Sequence, residues 1–282
     1  MLSGLAGKVA VVTGGAGGLG AASALRLSRE GCRVVVVDID GDGARKVAES
    51  LPGESVAVTA DVAAEEDVER YLDVAAQSFG RIDLHHLNAG IPGSAGGLPD
   101  LSAGEFDRVM AVNVRGIFLG LRGAFRLFRA SGPASARSAG SVVLTASIAS
   151  LRGSADLIAY QTSKHAVLGL LRGAAMYGGP LGIRVNAVAP GIVPTTLFSA
   201  AGRDDMVRRA ASAPLRRAGT TDEIASVVAF LLSDEASYMA GEVVSVDGGS
   251  AIMSTVRDSG GAGAWDFGAL DARSYQHPPE GA

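Results

Sequence analysis

The sequence predicts an α/β protein, a single-domain doubly wound parallel sheet of about seven strands with helices on both faces. Seven short runs, most of them rich in β-branched residues, recur along the chain. Their mostly continuous apolar character is that expected of strands buried on both faces. Segments with the period of an amphipathic helix lie between them. This alternation of strand and helix favours a parallel sheet covered by helices.

The predicted elements follow one another regularly. The strands are VAVV from residue 9, VVVV from 34, VAVT from 56, LHHL from 84, VVL from 142, IRVNAV from 183 and VVSV from 243. Two of the predicted helices have clear apolar faces, formed by Val68, Leu72, Ala75 and Phe79 in one and by Ile224, Val227, Val228 and Leu231 in the other. Thr220 and Glu223 have the spacing of a capping box that would start the second of these helices. Two stretches rich in small residues, 93–102 and 129–140, are expected to be surface loops.

Composition and charge exclude several classes of function. The chain has 282 residues, of which 48% are hydrophobic and 19% charged, as is typical of a globular protein. Its net charge of −4 argues against a nucleic-acid-binding surface. No run approaches the roughly 18 apolar residues of a membrane-spanning helix, and the N-terminus lacks a signal-peptide pattern. Cys32 is the single cysteine, so no intrachain disulfide can form and we expect a cytoplasmic protein.

The stretch that begins at Asp38 fits two kinds of site. It spells D-x-D-x-D-G-x₅-E, the pattern of an EF-hand calcium loop. However, it follows a predicted strand instead of a helix, and it would place Arg45 where an EF-hand usually has an apolar residue. We therefore expect no metal site. The acidic residues after Asp38 are interpreted as turn residues together with two glycines, the four being Asp40, Gly41, Asp42 and Gly43.

A glycine-rich segment, TGGAGGLG from Thr13 to Gly20, follows the first predicted strand. Glycines there permit a tight turn and let the backbone approach a pyrophosphate at a helix N-terminus. Asp38 follows Gly20 at a spacing that suits an acid binding the ribose of a dinucleotide. Such a carboxylate would repel a 2′-phosphate by roughly 3 kcal/mol per unit charge, at about 5 Å and an effective dielectric near 20. We therefore predict NAD(H) as the cofactor in preference to NADP(H).

Three side chains further along the chain are suited to proton transfer. Tyr160 and Lys164, in YQTSK, are four residues apart and would share one helix face. A neighbouring ammonium lowers the pKa of a tyrosine toward working pH, as a general acid or base requires. Ser147 follows the fifth predicted strand, at the edge where open α/β sheets bind ligands. Tyrosine and lysine also occur at this spacing by chance, so the pair alone assigns no function.

These motifs together resemble those of the short-chain dehydrogenase/reductase family, from about Lys8 to Gly249. The resemblance adds DV at 61–62, NAG at 88–90, NVRG with Asn113, RVNAVAPG at 184–191 and VDGG at 246–249. Each segment is modest alone, and the resemblance rests on their joint order and spacing. It implies a Rossmann fold over residues 1–250 with a substrate lid at about 195–214. Residues 251–282 would be a C-terminal extension of unknown role.

The resemblance also implies roles for individual residues. Tyr160 would exchange a proton with the substrate oxygen, Ser147 would hydrogen-bond that oxygen, and Asn113 would position water in a proton relay. Lys164 would bind the nicotinamide ribose and lower the pKa of Tyr160. The other implied cofactor contacts are Gly14, Gly18, Leu19 and Gly20 at the pyrophosphate, Asp38 at the adenosine ribose, Asp61 and Val62 near adenine, Asn88, Ala89 and Gly90 along the adenosine side, and Pro190, Gly191, Val193 and Thr195 at the nicotinamide carboxamide.

Some residues depart from the pattern of the family. Leu87 replaces the first asparagine of NNAG, and His85 and His86 occupy positions where aliphatic residues are usual. Adjacent residues of a strand face opposite sides of a sheet, so the two histidines are poorly placed to bind one metal. We interpret them as core residues that are packed or hydrogen-bonded. The extension at 251–282, which includes Trp265, lies outside the resemblance.

We therefore expect an NAD-dependent oxidoreductase that interconverts a secondary alcohol and a ketone, with Tyr160 as general acid and base. Its partner would be a small-molecule alcohol or ketone, with no nucleic acid and no membrane. Two alternatives stay open: an epimerase or dehydratase that recycles its NAD, and a non-catalytic dinucleotide sensor. The resemblance further implies a homo-oligomer, a tetramer or a dimer, with helices near 105–130 and 158–178 at the interfaces.

Overall fold

A sheet of seven parallel strands forms the centre of the molecule. In the computed structural model, the described residues are 1–131, 138–153, 156–195, 206, 209–210 and 213–252. The strands are β1 (Val9–Thr13), β2 (Arg33–Asp38), β3 (Ser55–Thr59), β4 (Leu84–Leu87), β5 (Gly140–Thr145), β6 (Ile183–Pro190) and β7 (Val243–Val246). They pair in the order β3-β2-β1-β4-β5-β6-β7. The predicted fold class is confirmed, and every predicted run lies in a strand.

Helices cover both faces of the sheet. Those of the described residues are α1 (Gly18–Arg29), α2 (Gly41–Ser50), α3 (Glu65–Phe79), α4 (Ala103–Met110), α5 (Gly116–Ser131), α6 (Ile158–Gly178) and α7 (Thr221–Leu232). Buried side chains of α1, α2 and α7 form the core on one face. Those of α3, α5 and α6 form the core on the other face. The β-branched strand residues fill both cores because each strand presents alternate side chains to each face.

The strand order reverses between β1 and β4, which lie side by side in the sheet. Chain segments leaving these two strands turn to opposite sides, and this opens a crevice at their carboxyl ends. Residues from both ends meet there, because the Asn88 N–H after β4 donates to the Thr13 hydroxyl at the end of β1, at 3.0 Å. The fold therefore places the glycine-rich segment and the residues after β4 at one edge of the sheet.

Several local predictions are confirmed. Val68, Leu72 and Ala75 are buried on one face of α3. The predicted capping box starts α7, since the Thr220 hydroxyl accepts from the Glu223 N–H and the Glu223 carboxylate accepts from the Thr220 N–H. The interpretation of 129–140 as a loop is only partly right, because α5 includes its first three residues and β5 begins at its last.

The interpretation of residues 40–43 as a turn is wrong. Helix α2 begins at Gly41, so Gly41, Asp42 and Gly43 form its first turn. Asp40 is the N-cap, and its carboxylate accepts from the Gly43 N–H at 3.0 Å. An aspartate cap followed by an acid in the first turn is a favourable helix start, and it outweighs the low helix propensity of two glycines.

Two predicted features lie mostly outside the described residues. Of the expected lid at 195–214, the structure describes Thr195, Met206, 209–210 and 213–214, and of the extension it describes only 251–252. Trp265 is therefore outside the described part. Within the described ranges, no helix is long and apolar enough to cross a membrane.

Candidate active site

The segment after β1 makes a tight turn into α1. Gly14 has a positive φ of +66°, and a Cβ on Gly20 would lie only 2.0 Å from the Gly14 carbonyl oxygen. A side chain at Gly20 would therefore force this turn apart. No side chain caps α1, and its first turn contains no acidic residue. Its first backbone N–H groups, at Gly18 and Leu19, are suited to binding the pyrophosphate of a dinucleotide.

Asn88 supports this turn from the end of β4. Its Nδ2 donates to the carbonyl oxygens of Thr13 and Gly14 at 3.1 and 3.3 Å. The backbone N–H groups of Asn88 and Ala89 both donate to the Thr13 hydroxyl, at 3.0 and 3.2 Å. These bonds fix the position of the glycine turn relative to β4.

Asp38 lies at the end of β2, next to the turn. One of its carboxylate oxygens accepts from the Ala16 N–H and the other from the Asp40 N–H, each at 3.0 Å. A carboxylate oxygen can accept more than one hydrogen bond, so both oxygens can still accept from ribose hydroxyls. In the described part of the chain, no group of three or more His, Cys, Asp or Glu residues is arranged to hold a metal.

Asp61 and Val62 follow β3 at the same edge. An Asp61 carboxylate oxygen accepts from the Ala63 N–H at 2.9 Å, which is the geometry of a local turn. Val62 is buried against the start of α5, where a Cβ on Gly116 would lie 2.9 Å from it. Both residues therefore shape the loop after β3.

Ser147, Tyr160 and Lys164 converge at the carboxyl end of β5. Tyr160 and Lys164 lie one turn apart on α6, and the Lys164 Nζ is 5.6 Å from the centroid of the Tyr160 ring. The Ser147 hydroxyl lies beside the Tyr160 phenol and lowers its pKa. Lys164 is 3% exposed, and its Nζ donates to the Thr145 carbonyl at 2.7 Å. The fold thus brings Ser147, which follows β5, to Tyr160 and Lys164 on α6.

The pKa of Tyr160 differs from the prediction. Burial raises it above the ordinary value for tyrosine, and the hydrogen bond to Ser147 offsets this effect only in part. The Lys164 ammonium donates to the backbone of Thr145 and lies beside the tyrosine ring, so it does not reverse this shift. Burial also lowers the pKa of Lys164 to about 8.

Asn113 lies in a π-helical turn, Ala111–Arg115, that joins α4 to α5. Such turns frequently occur at functional sites. Its side chain is fully buried, with Oδ1 accepting from the Ile91 N–H at 2.8 Å and Nδ2 donating to the Ile91 carbonyl and the Ser163 hydroxyl, both at 2.9 Å. A Cβ on Gly90 would lie 3.2 Å from this Oδ1. The amide therefore clamps the segment after β4 to α6.

The segment from Pro190 to Thr195 leads from β6 toward the start of α1. The Gly191 N–H donates to β7 at 3.0 Å, and Val193 is buried. A Cβ on Gly18 would lie 3.3 Å from the Thr195 Cβ. This segment therefore lies against the glycine turn, beside the expected pyrophosphate position.

His85 and His86 are fully buried on β4. The His85 Nε2 lies 3.4 Å from the Tyr71 hydroxyl on α3, whereas the His86 Nε2 lies 2.9 Å from the Thr145 hydroxyl. The interpretation of both as packed or hydrogen-bonded core residues is confirmed. Burial lowers the pKa of both imidazoles to about 3, with a further contribution from His86 to the shift of His85. Both are therefore neutral near pH 7.

Sequence reasoning does not single out Thr145 or Ser163, yet both connect the site residues. The Thr145 hydroxyl donates to the Asn88 Oδ1 at 3.0 Å, and its carbonyl accepts from Lys164. Ser163 accepts from Asn113 and donates to the Tyr160 carbonyl at 2.6 Å. The sequence indicates these residues only by their positions, since Thr145 ends an apolar strand and Ser163 lies within YQTSK.

Comparison with known proteins agrees with this geometry. Residues 14–251 match the sequence profile of a family described as enoyl-(acyl carrier protein) reductase. Levodione reductase of Leifsonia aquatica is 41% identical over 255 residues, which cover 86% of this chain and 93% of that protein. Cyclohexanol dehydrogenase of Acinetobacter sp. (strain SE19) is 37% identical over 244 residues, which cover 86% of this chain and 94% of that protein.

Solved structures show the same fold. The crystal structure of levodione reductase matches with a TM-score of 0.81 and 39% identity, over 88% of this chain and 98% of that one. A structure of 3-ketoacyl-(acyl-carrier-protein) reductase from Brucella melitensis, complexed with NADH, matches with a TM-score of 0.82 and 33% identity. That match covers 88% of this chain and 99% of the other.

Proposed function

The chain belongs to the short-chain dehydrogenase/reductase family, and from this premise we propose that it is an NAD-dependent oxidoreductase interconverting a secondary alcohol and a ketone. The observation that carries the proposal is the convergence of Ser147 and Tyr160 at the carboxyl end of β5, with Lys164 buried beside them. The relatives support the substrate class, because one is named a cyclohexanol dehydrogenase and cyclohexanol is a secondary alcohol.

Tyr160 is the proposed proton-transfer residue. In the oxidative direction its phenolate takes the proton of the substrate hydroxyl, and in the reductive direction its phenol returns that proton to the carbonyl oxygen. Ser147 hydrogen-bonds the same oxygen and stabilises the negative charge that develops on it. The Lys164 ammonium stabilises the phenolate, which offsets the unfavourable burial of that anion. When NAD is bound, its nicotinamide supplies the acceptor and donor of hydride.

The proposed cofactor contacts lie along the same edge. The glycine turn and the start of α1 would hold the pyrophosphate, and the segment from Pro190 to Thr195 would lie at the nicotinamide carboxamide. Asp61 and Val62 would border the adenine. Asn113 is proposed to position water, and its side-chain amide already bonds Ile91 and Ser163, so this role would fall to its backbone carbonyl.

NAD(H) is the proposed dinucleotide in preference to NADP(H). The two backbone N–H bonds to Asp38 orient its carboxylate. Both oxygens can then accept from the ribose hydroxyls, whereas a 2′-phosphate at the same position would meet a like charge. The NADH complex of the Brucella melitensis reductase supports a nicotinamide dinucleotide as the cofactor.

The proposal is tested by following the absorbance of NADH across a panel of secondary alcohols, with NAD and NADP side by side and Tyr160→Phe as the control. We expect turnover with NAD that falls by at least about a hundredfold in the variant, because the phenol is the proton-transfer group. NADH release in stoichiometric amounts separates oxidation from a reaction that recycles NAD. Equal turnover in Tyr160→Phe would contradict the proposed mechanism.

A second copy of the chain is the proposed occupant of a groove between α5 and α6. The groove is apolar and includes Phe118 and Tyr177, which are 46% and 61% exposed. Two helices with such faces can pack against the same pair of a second subunit, as expected of an isologous interface. Analytical ultracentrifugation should detect an oligomer that Phe118→Asp with Tyr177→Asp dissociates. Leu98→Ser removes another exposed apolar side chain, lies outside the groove and should leave assembly unchanged.

A cytoplasmic location is also proposed. Cys32 is buried, and its thiol donates to the Leu5 carbonyl at 3.2 Å. Burial raises the pKa of this thiol to about 12, which suppresses the reactive thiolate. A single cysteine allows no intrachain disulfide, and this usage is expected in a reducing compartment. Fractionation of the source cells with an antibody to the chain would test this location.

A further inference from the structure

His86 is a buried polar side chain with no part in the proposed reaction. It lies on β4 among apolar strand residues and is fully buried. Its Nε2 is 2.9 Å from the Thr145 hydroxyl, and its Nδ1 has no hydrogen-bond partner. A buried imidazole with one nitrogen left unpaired costs free energy relative to an aliphatic residue of similar size. Any role of His86 therefore depends on the one hydrogen bond that it makes, to the Thr145 hydroxyl.

The hydrogen-bond network fixes the direction of that bond. Asn88 donates twice through its Nδ2, to the Thr13 and Gly14 carbonyls, so its Oδ1 points toward Thr145 and must accept. The Thr145 hydroxyl has one proton and donates it to this Oδ1 at 3.0 Å. Toward His86, Thr145 can therefore only accept. His86 must carry its proton on Nε2 and donate it.

We propose that His86 is a positioning residue for the dinucleotide site, acting through Thr145 and Asn88. Its Nε2–H holds the Thr145 hydroxyl in the rotamer that donates to Asn88, and Asn88 then holds the glycine turn. The carbonyl of the same Thr145 accepts from Lys164 at 2.7 Å. One buried donor thus supports the cofactor turn and the residue that anchors the lysine. This inference rests on the proposed function of the site.

The absence of this donor would have a specific consequence. With an aliphatic residue at His86, nothing would compete for the lone pairs of Thr145, and its hydroxyl proton would be free to rotate away from Asn88. The hydrogen bond from Thr145 to the Asn88 Oδ1 would then weaken, while the Asn88 Nδ2 stays bonded to the Thr13 and Gly14 carbonyls. Asn88 would be held on one side only, and the glycine turn would lose part of its support from β4.

The test compares His86→Gln with His86→Met. The Gln side chain can place an N–H near the position of the imidazole Nε2–H, whereas Met has a similar shape and no donor. NADH binding is measured by fluorescence titration, and folding by thermal denaturation. We expect His86→Met to weaken NADH binding by about three- to tenfold, the effect of losing one hydrogen bond, and His86→Gln to stay within about twofold of the natural protein. His85→Met is the matched control for disturbance of the core, and it should change stability without changing NADH affinity.

Equal NADH affinity in His86→Met and His86→Gln would overturn the inference. Equal losses in His86→Met and His85→Met would also overturn it, because they would reduce the effect to core packing. Failure of the natural protein to bind NADH would instead overturn the proposed function, and the inference with it. If His86→Met does not fold, ¹⁵N NMR of the histidine-labelled natural protein decides the matter. The Nε2–H form of His86 is the expected result, and the Nδ1–H form would contradict it.

Discussion

The two halves of the candidate site are built from different groups. Along β1 and β2 the structure relies on the backbone: main-chain N–H groups orient Asp38, and the close approach at Gly20 leaves no room for a side chain. Along β4, β5 and α6 it relies on side chains, as Asn113 donates to Ser163 and Lys164 donates to Thr145, each distant in the sequence. The first half should therefore tolerate few changes in the size of its side chains. The second half should tolerate few changes in the chemical groups of its side chains.

Gly20→Ala should have the largest effect on the backbone-built half of the site, which consists of the glycine turn and Asp38. Its Cβ would lie 2.0 Å from the Gly14 carbonyl oxygen, a separation that forces the turn to move. We expect NADH binding to weaken by at least about a hundredfold, because the turn positions the N–H groups that would bind the pyrophosphate. Gly104→Ala in α4 is the control, since a Cβ there meets nothing within 4 Å. Fluorescence titration with NADH measures both, and unchanged affinity in Gly20→Ala would contradict the proposed pyrophosphate site.

Lys164→Met should greatly reduce turnover with little loss of stability, because Lys164 belongs to the half of the site that is built from side chains. Burial lowers the pKa of this lysine from 10.5 to about 8, so the buried ammonium costs about 3 kcal/mol at neutral pH. Losing its bond to Thr145 removes about 1.5–3 kcal/mol of stabilisation, and the two effects nearly cancel. Turnover should fall by about a hundredfold or more, because the phenolate of Tyr160 loses its nearby cation.

Urea denaturation and steady-state kinetics of Lys164→Met separate the two effects. A loss of several kcal/mol in the free energy of unfolding would show that the lysine is mainly structural. Lys46→Met, on the surface of α2, is a matched control that should alter neither stability nor turnover.

The sequence predicts the backbone-built half better than the other. The seven strands, the Thr220 cap and the glycine turn follow from local patterns, since β-branched runs, capping residues and glycines act over a few neighbours. The start of α2 at Gly41 was not predicted because the sequence DGDG at 40–43 is also typical of a turn. The bond from Lys164 to Thr145 depends on how α6 packs on β5, and no local pattern encodes that packing. The pKa of Tyr160 escaped prediction because burial depends on the whole fold.

Asp38→Asn should have an effect of intermediate size, and this effect should be on the preference for NAD over NADP. The amide keeps the shape of the side chain and removes the charge that would repel a 2′-phosphate. Because Asp38 is partly exposed, solvent screens this repulsion, and we expect the ratio of kcat/KM for NADP to that for NAD to rise by about tenfold. Asp40→Asn removes the same charge two residues away and still caps α2, so it should change the ratio much less. A natural protein that prefers NADP would contradict the proposed role of Asp38.

His85 and His86 lie beneath the boundary between the two halves, and they predict a dependence of stability on pH. Their pKa values are about 3 in the folded protein, against 6.5 for the free side chain. Between these values the unfolded chain binds more protons than the folded one, so stability is lost as the pH falls below 6.5. At pH 5 each histidine should lower the free energy of unfolding by about 2 kcal/mol relative to pH 8.

Urea denaturation of the natural protein at pH 8 and at pH 5 measures this dependence. Ordinary carboxyl groups titrate mainly below this window and contribute little to the difference. His86→Gln should remove about half of the loss, because its amide has the same hydrogen-bonding role and does not titrate in this range. His85→Gln should remove a similar share. A pH dependence that neither variant reduces would place its origin outside β4, and the strand beneath the site would then carry no proton-linked stability.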